Sequence, residues 1–175
     1  MAGNSRLGKQ NVRNMMLSLS VTVLLAGFVW LFLPHDGDRD PVLKPVDYRV
    51  ELITARRAAP YPVAAPQGLS EEWKPTSVRY RGAESAHWHL GFRTPDEKYV
   101  AVEQSTEKPS AFVDRVTRGA RDTGAAQDVD GRAWQKYEGE RYDALVRTED
   151  GATTVVMGSA SFTRLTMMAQ ALGTG

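Results

Sequence analysis

Two of the chain's three histidines, His87 and His89, stand two apart around Trp88 in the run SAHWHLGF. On a strand, residues at that spacing point to one side of the sheet. Two imidazoles side by side have three uses. With a carboxylate they supply the three protein ligands of a zinc that keeps its fourth position open for water. With neighbouring arginines they form a donor-rich patch for a polar or anionic ligand. Alone, they are the solvated side of a strand whose other side is core. Neighbouring strands narrow the choice. If Tyr80 packs across from Trp88 and Val78 across from Leu90, Arg81 falls opposite His87 and Arg79 opposite His89. On the other flank, Val102 opposite Trp88 and Val100 opposite Leu90 place Glu103 opposite His87 and Ala101 opposite His89. His87, His89 and Glu103 are thus the candidate metal ligands. Arg79 and Arg81 beside them repel a cation, so no metal is expected. Arg79, Arg81, His87 and His89, with Trp73, are the candidate ligand or partner face.

The rest of the chain offers little chemistry. It has no cysteine, which excludes disulfides, thiol catalysis and thiolate metal sites. Gly158-Ser159-Ala160-Ser161 lacks the closing glycine of a nucleophile elbow. Neither a phosphate-binding Gly-rich loop nor an H-E-x-x-H pair is present. Charge is nearly balanced, 22 Lys+Arg against 21 Asp+Glu, with no basic surplus for nucleic acid. No catalytic residue and no cofactor is expected, and the chain reads as a non-enzyme. Trp73, Trp88 and Trp134, with several tyrosines, invite a sugar or peptide platform. Core packing accounts for most such aromatic residues first.

The segment in front of these residues has a clearer meaning. Residues 15–33 read MMLSLSVTVLLAGFVWLFL, without a charge. A helix of that length spans roughly 28 Å, close to the ~30 Å hydrocarbon core of a bilayer. Arg6, Lys9 and Arg13 precede it, and every acidic residue of the chain follows His35. The positive-inside rule then puts residues 1–14 in the cytoplasm and the remainder outside. The run is longer than a signal-peptide core and ends without an A-x-A-like site, so it reads as an uncleaved transmembrane helix in the cell membrane. Residues 34–60, with prolines at 34, 41, 45 and 60, read as an extended linker or arm. Within it YRVELITA alternates Tyr48, Val50 and Leu52, as a strand or extended segment does.

The compact domain is expected over residues 61–175. Thr76–Arg81, Ala86–Phe92 and Lys98–Gln104 alternate as strands, and Thr94-Pro95-Asp96-Glu97 has turn chemistry. Pro109–Ala120 shifts to a helical period with Phe112, Val113 and Val116 on one face. Asp130-Gly131 and Asp150-Gly151 mark two hairpins, giving strands over Ala125–Val129, Arg132–Glu138, Tyr142–Thr148 and Thr153–Gly158. A last helix starts at Ser161, buries Phe162, Leu165, Met168, Ala169 and Leu172, and stops at Gly173. The fold class is α+β: a transmembrane helix, then an antiparallel sheet with two helices packed on it.

Pro66-Gln67-Gly68-Leu69, Trp73, Thr76-Ser77-Val78, Trp88-His89-Leu90-Gly91-Phe92, Val129-Asp130-Gly131-Arg132-Ala133-Trp134 and Ala144-Leu145-Val146-Arg147 resemble the actinobacterial family called domain of unknown function 4245. The resemblance covers nearly the whole chain. It implies a single-pass protein of the bacterial cell membrane with an outward domain, and it implies no activity, cofactor or site. The element order also looks like the Mog1/PsbP-like α/β sandwich, a likeness of fold that licenses no function. The leading expectation is a non-catalytic, membrane-anchored extracytoplasmic domain that binds an envelope protein or ligand. A metal-assisted envelope hydrolase at His87, His89 and Glu103, or an assembly factor of a membrane complex, are the alternatives.

Overall fold

The computed structural model describes residues 15–25, 28, 46–83 and 85–174. They fall into two units, Met1–Val42 and Leu43–Gly175. In the first, residues 15–25 form a helix, α1, and residue 28 is also helical. Its large apolar side chains, Leu17, Leu19, Val21, Leu24 and Leu25 among them, are exposed. The Thr22 hydroxyl donates to the Ser18 carbonyl at 2.9 Å, which satisfies it within its own helix. The rest of the expected 15–33 span, the 1–14 tail and the spacer up to residue 45 lie outside the described residues. Among the described residues no helix is long and apolar enough to cross a membrane.

The second unit is built on one antiparallel sheet of seven strands. In chain order the strands are β2 (Lys74–Arg81), β3 (His87–Arg93), β4 (Tyr99–Ser105), β5 (Arg121–Val129), β6 (Arg132–Glu138), β7 (Asp143–Glu149) and β8 (Ala152–Gly158). Their spatial order is β2-β3-β4-β8-β7-β6-β5. The two expected groups of strands are therefore two meanders sharing one sheet, joined where β4 pairs with β8. Short β1 (Ala65–Pro66) and β9 (Leu172–Gly173) pair separately. Both Asp-Gly hairpins form as expected. Asp130 and Gly131 have φ of 53° and 76°, and Asp150 and Gly151 have 51° and 76°. Two successive positive φ values define a turn whose twist matches the flanking strands, and Asp-Gly supplies them at low cost.

Three helices cover the sheet on its two faces. On one face Trp88, Leu90, Val100, Val102, Leu145 and Val156 pack beneath α2 (Arg49–Ala58) and α4 (Phe162–Ala171). On the other, Ala101, Ala144, Val155 and Met157 pack with Phe112 and Val113 of α3 (Pro109–Thr117). Pro109 suits the first helical position, where its missing N–H costs nothing. Arg118 in the left-handed region ends α3, and the Gly119 amide donates back to Asp114. Of the stripe expected in α4, Leu165, Met168 and Ala169 are buried, while Phe162 and Leu172 at its ends are half-buried against the core. The helix closes at Ala171, and Gly173 continues into β9.

The stretch expected to be an extended arm is helical: Arg49–Ala58 form α2. Tyr48 and Leu52 fit a period of two and a period of 3.6 equally well. Val50 discriminates, because a strand would bury it with them, and it is 72 % exposed. Ala55 is the fully buried third member of the helical stripe. The compact unit consequently starts before residue 61.

Candidate functional site

The pairing of β2 with β3 follows the expected register, with Arg79 opposite His89 and Arg81 opposite His87. The pairing of β3 with β4 is shifted by two residues from expectation. Glu103 stands opposite His89, and Val102 opposite Leu90. A shift of two keeps every side chain on its expected face, so the apolar pattern alone could not distinguish the two registers.

The face itself differs more. It is not the open side of the sheet, because α3 lies over part of it. The Phe112 ring meets His87 edge-on, with centroids 5.4 Å apart. Glu103 is buried between the two histidines. Its Oε2 lies 2.7 Å from His87 Nε2 and its Oε1 lies 2.6 Å from His89 Nδ1. His89 Nε2 lies 2.8 Å from the Ser77 hydroxyl. A neutral His89 ring protonated on Nδ1 donates to Glu103 and accepts from the Ser77 hydroxyl at Nε2, whereas an imidazolium donates to both. Burial pushes the Glu103 carboxyl up, but hydrogen bonds from His87 and His89, and their charge, outweigh it and hold the group below the usual carboxylate range. Tyr99 joins the cluster from β4. Its phenol is pushed above the ordinary value by burial, then by the charge of Glu103. Gly91 makes room for this packing: a Cβ there would lie 2.5 Å from Ser77 Oγ and 3.2 Å from the Tyr99 ring.

These distances decide between the chemistries. Two donor atoms bound to one tetrahedral zinc at about 2.0–2.2 Å must stand roughly 3.3 Å apart. The carboxylate oxygens of Glu103 sit closer than that to both imidazoles, so these are hydrogen bonds that use the lone pairs a metal would need. Among the described residues no group of three or more His, Asp or Glu is arranged to hold a metal ion. Ser77, His89 and Glu103 do have the connectivity of a nucleophile, its base and the base's orienting acid. However, Ser77 Oγ lies against Gly91 and is engaged by the Tyr99 side chain, and a reacting carbonyl needs that space. The cluster's evident role is to tie β2, β3 and β4 together on their polar side.

Of the expected ligand face, Arg79 and Arg81 are exposed next to this cluster. Trp73 is not part of it. It is 5 % exposed and belongs to the core on the opposite side of the sheet, where a large aromatic ring stabilises most.

A more open site lies on the face that carries α4, at the end of the sheet bearing the two Asp-Gly turns. A cavity of about 410 Å³ is lined there by Asp130, Arg132, Trp134, Arg147, Glu149 and Gln170, among others. Its floor is Gln104, whose amide is fully used. Oε1 accepts from the Ala64 amide at 2.7 Å, and Nε2 donates to Thr154 Oγ1 at 3.0 Å. Arg147 forms the wall. Its guanidinium lies over the Trp134 ring, 5.3 Å from the centroid, and hydrogen-bonds to Glu149. Arg147 Nε is buried with no partner, a state rare enough in folded proteins to call for a reason. Gln170 Nε2 reaches Asp130 at 3.5 Å, and Arg132 and Asp150 stand exposed at the rim. Sequence reasoning missed this site, although one signal was available. Leu145 faces the core, and Arg147 lies two residues on, so an arginine occupies an inward position of a strand.

No curated protein matches the chain. Residues 8–172 match the model of a family described as "Protein of unknown function (DUF4245)", and the chain belongs to that family.

Proposed function

We propose that this protein is a single-pass, membrane-anchored protein whose extracytoplasmic domain binds a small polar ligand and catalyses no reaction. The observation that carries the binding reading is the cavity of about 410 Å³ walled by Arg147. Its size falls within the ~300–1,000 Å³ of small-molecule sites. Its walls hold guanidinium, carboxylate and amide groups together. A ligand that both donates and accepts, such as a polyhydroxylated or zwitterionic small molecule, answers all three. Burying an arginine beside a cavity with Nε unpaired costs stability, and a ligand-binding role is a reason for keeping it. The histidine cluster, by contrast, spends its hydrogen bonds internally.

Anchoring is supported by the uncharged run of residues 15–33 and by the helix at 15–25, whose apolar side chains are exposed. The basic flank before the run supports the orientation. A reporter enzyme active only outside the cytoplasm, fused after Gly175, is expected to be active; activity of a cytoplasm-only reporter in its place would reverse the topology. Ligand binding is tested by thermal shift of the purified full chain against a library of hydroxylated and zwitterionic small molecules. Compounds that raise Tm in the wild type should lose their effect in Arg147→Ala. A library that shifts neither chain, or both alike, sinks the pocket.

A further inference from the structure

We infer that the outward face of α2 is a docking surface for anionic phospholipid headgroups, seating the domain on the bilayer that anchors it. The inference rests on the membrane-anchored reading above. It begins with the way α2 divides its side chains. Leu52 and Ala55 turn inward to the core, preceded by Tyr48, whose ring meets Phe92. Glu51 also turns inward and accepts a hydrogen bond from the Tyr80 amide. Arg56 is tied down by the carbonyls of Val63 and Gly173. What remains outside is Arg49, Val50, Ile53, Thr54, Arg57 and the small Ala58, all exposed. They are spaced three and four apart on one side of the helix.

Single exposed aliphatic residues are ordinary. This face is different in its combination. Val50 and Ile53 are 72 % and 52 % exposed, and the only other exposed large apolar residue described in the unit is Met167. Two arginines flank them, and the helix's one acidic residue faces away. An apolar centre flanked by cations fits the boundary between anionic headgroups and acyl chains; the exposed acid next to it, Asp47, accepts from the Arg49 amide at the start of the helix. The chain also brings this face within reach of a membrane. Only residues 34–48 separate the apolar run from α2, and 15 residues extend at most about 50 Å.

The absence of cysteine allows a clean test. The full chain carrying Ile53→Cys is labelled with an environment-sensitive fluorophore. It is reconstituted into nanodiscs of phosphatidylcholine, with or without phosphatidylglycerol. A blue shift and a several-fold rise in emission are expected only in the anionic discs, and both should vanish when Arg49→Glu and Arg57→Glu are added. A label at Asp150→Cys, on the exposed turn between β7 and β8, should keep aqueous emission throughout. If the chain enters discs and the position 53 label stays aqueous, the docking surface is wrong and the anchor stands. If both labels shift alike, docking is not specific to α2 and the inference falls. If the chain does not enter discs, anchor and inference fall together.

Discussion

Glu103→Ala should cost the second unit about 3–5 kcal/mol, the scale of leaving two donors unsatisfied at about 1–3 kcal/mol each. That corresponds to a Tm lower by roughly 10–20 °C. The size follows from geometry. Glu103 is 5 % exposed and receives two hydrogen bonds shorter than 2.8 Å from two different histidines. Alanine would leave the His87 N–H beside Phe112 and the His89 N–H between the strands without their acceptor, and open a void between β3 and β4. Glu103→Gln keeps the shape and one acceptor, so it should cost less, about 1–3 kcal/mol. Chemical denaturation of wild type and both variants measures the series. A neutral Glu103→Ala would mean that the cluster does not hold the strands together.

The same residue sets an acid limit. The folded protein holds the Glu103 carboxyl below its ordinary value of 4.5. A depressed carboxylate contributes stability that is fully present above the unfolded value and is lost as pH falls through the folded one. Wild-type Tm should therefore drop more steeply below about pH 4.5 than that of Glu103→Gln, which has no proton to take up there. Equal slopes would assign the acid sensitivity to other carboxylates.

What could be read from the chain depended on how local the deciding physics was. The two Asp-Gly hairpins and the α4 stripe rest on backbone preference and periodicity within a few residues, and both appear where expected. The β2–β3 register was legible beside Trp88 and Leu90, whose apolar partners are Tyr80 and Val78; the bulge between Pro75 and Ser77 that sets Phe92 opposite Pro75 was not. The β3–β4 register was not, because Val100 and Val102 satisfy the core equally well after a slip of two. Trp73 shows a second limit. Its aromatic ring suits a ligand surface and a core alike, and only the packing of β2 against the rest decides. The α3 crossing was a third. Helix α3 was visible as a helix, but the face it would cover depended on β5 starting at the far edge of the sheet. That choice turned an expected open row of histidines into a half-covered hydrogen-bonded cluster. The Arg147 cavity needs α4, β7 and both hairpin turns in place before it exists.

Gly158→Ala should be the most damaging single-methyl change in the unit. A Cβ at Gly158 would stand 2.0 Å from the Tyr99 carbonyl oxygen and 2.9 Å from Val100 Cα. These are backbone atoms of the neighbouring strand, so no side chain can rotate out of the way. The strand cannot retreat cheaply either, because the Ser159 amide donates to that same Tyr99 carbonyl at 2.9 Å. This contact lies at one end of the β4–β8 pair, where Gly158 stands opposite Val100. Among the described residues it is the strand pairing that joins the two meanders, so forcing it apart weakens the whole sheet rather than one hairpin. Overpacking a well-fitted interior costs about 1–3 kcal/mol when neighbours adjust, and here more than about 3 is expected because they cannot. Gly91→Ala provides the contrast. Its closest contact, at 2.5 Å, is with the Ser77 hydroxyl, which can rotate away at the cost of its bond to His89. Its loss should stay nearer the lower end of that range. Denaturation midpoints of the two variants separate the cases. If Gly91→Ala proves the worse of the two, the Ser77–His89–Glu103 cluster, and not the β4–β8 seam, is the stiffer part of the sheet.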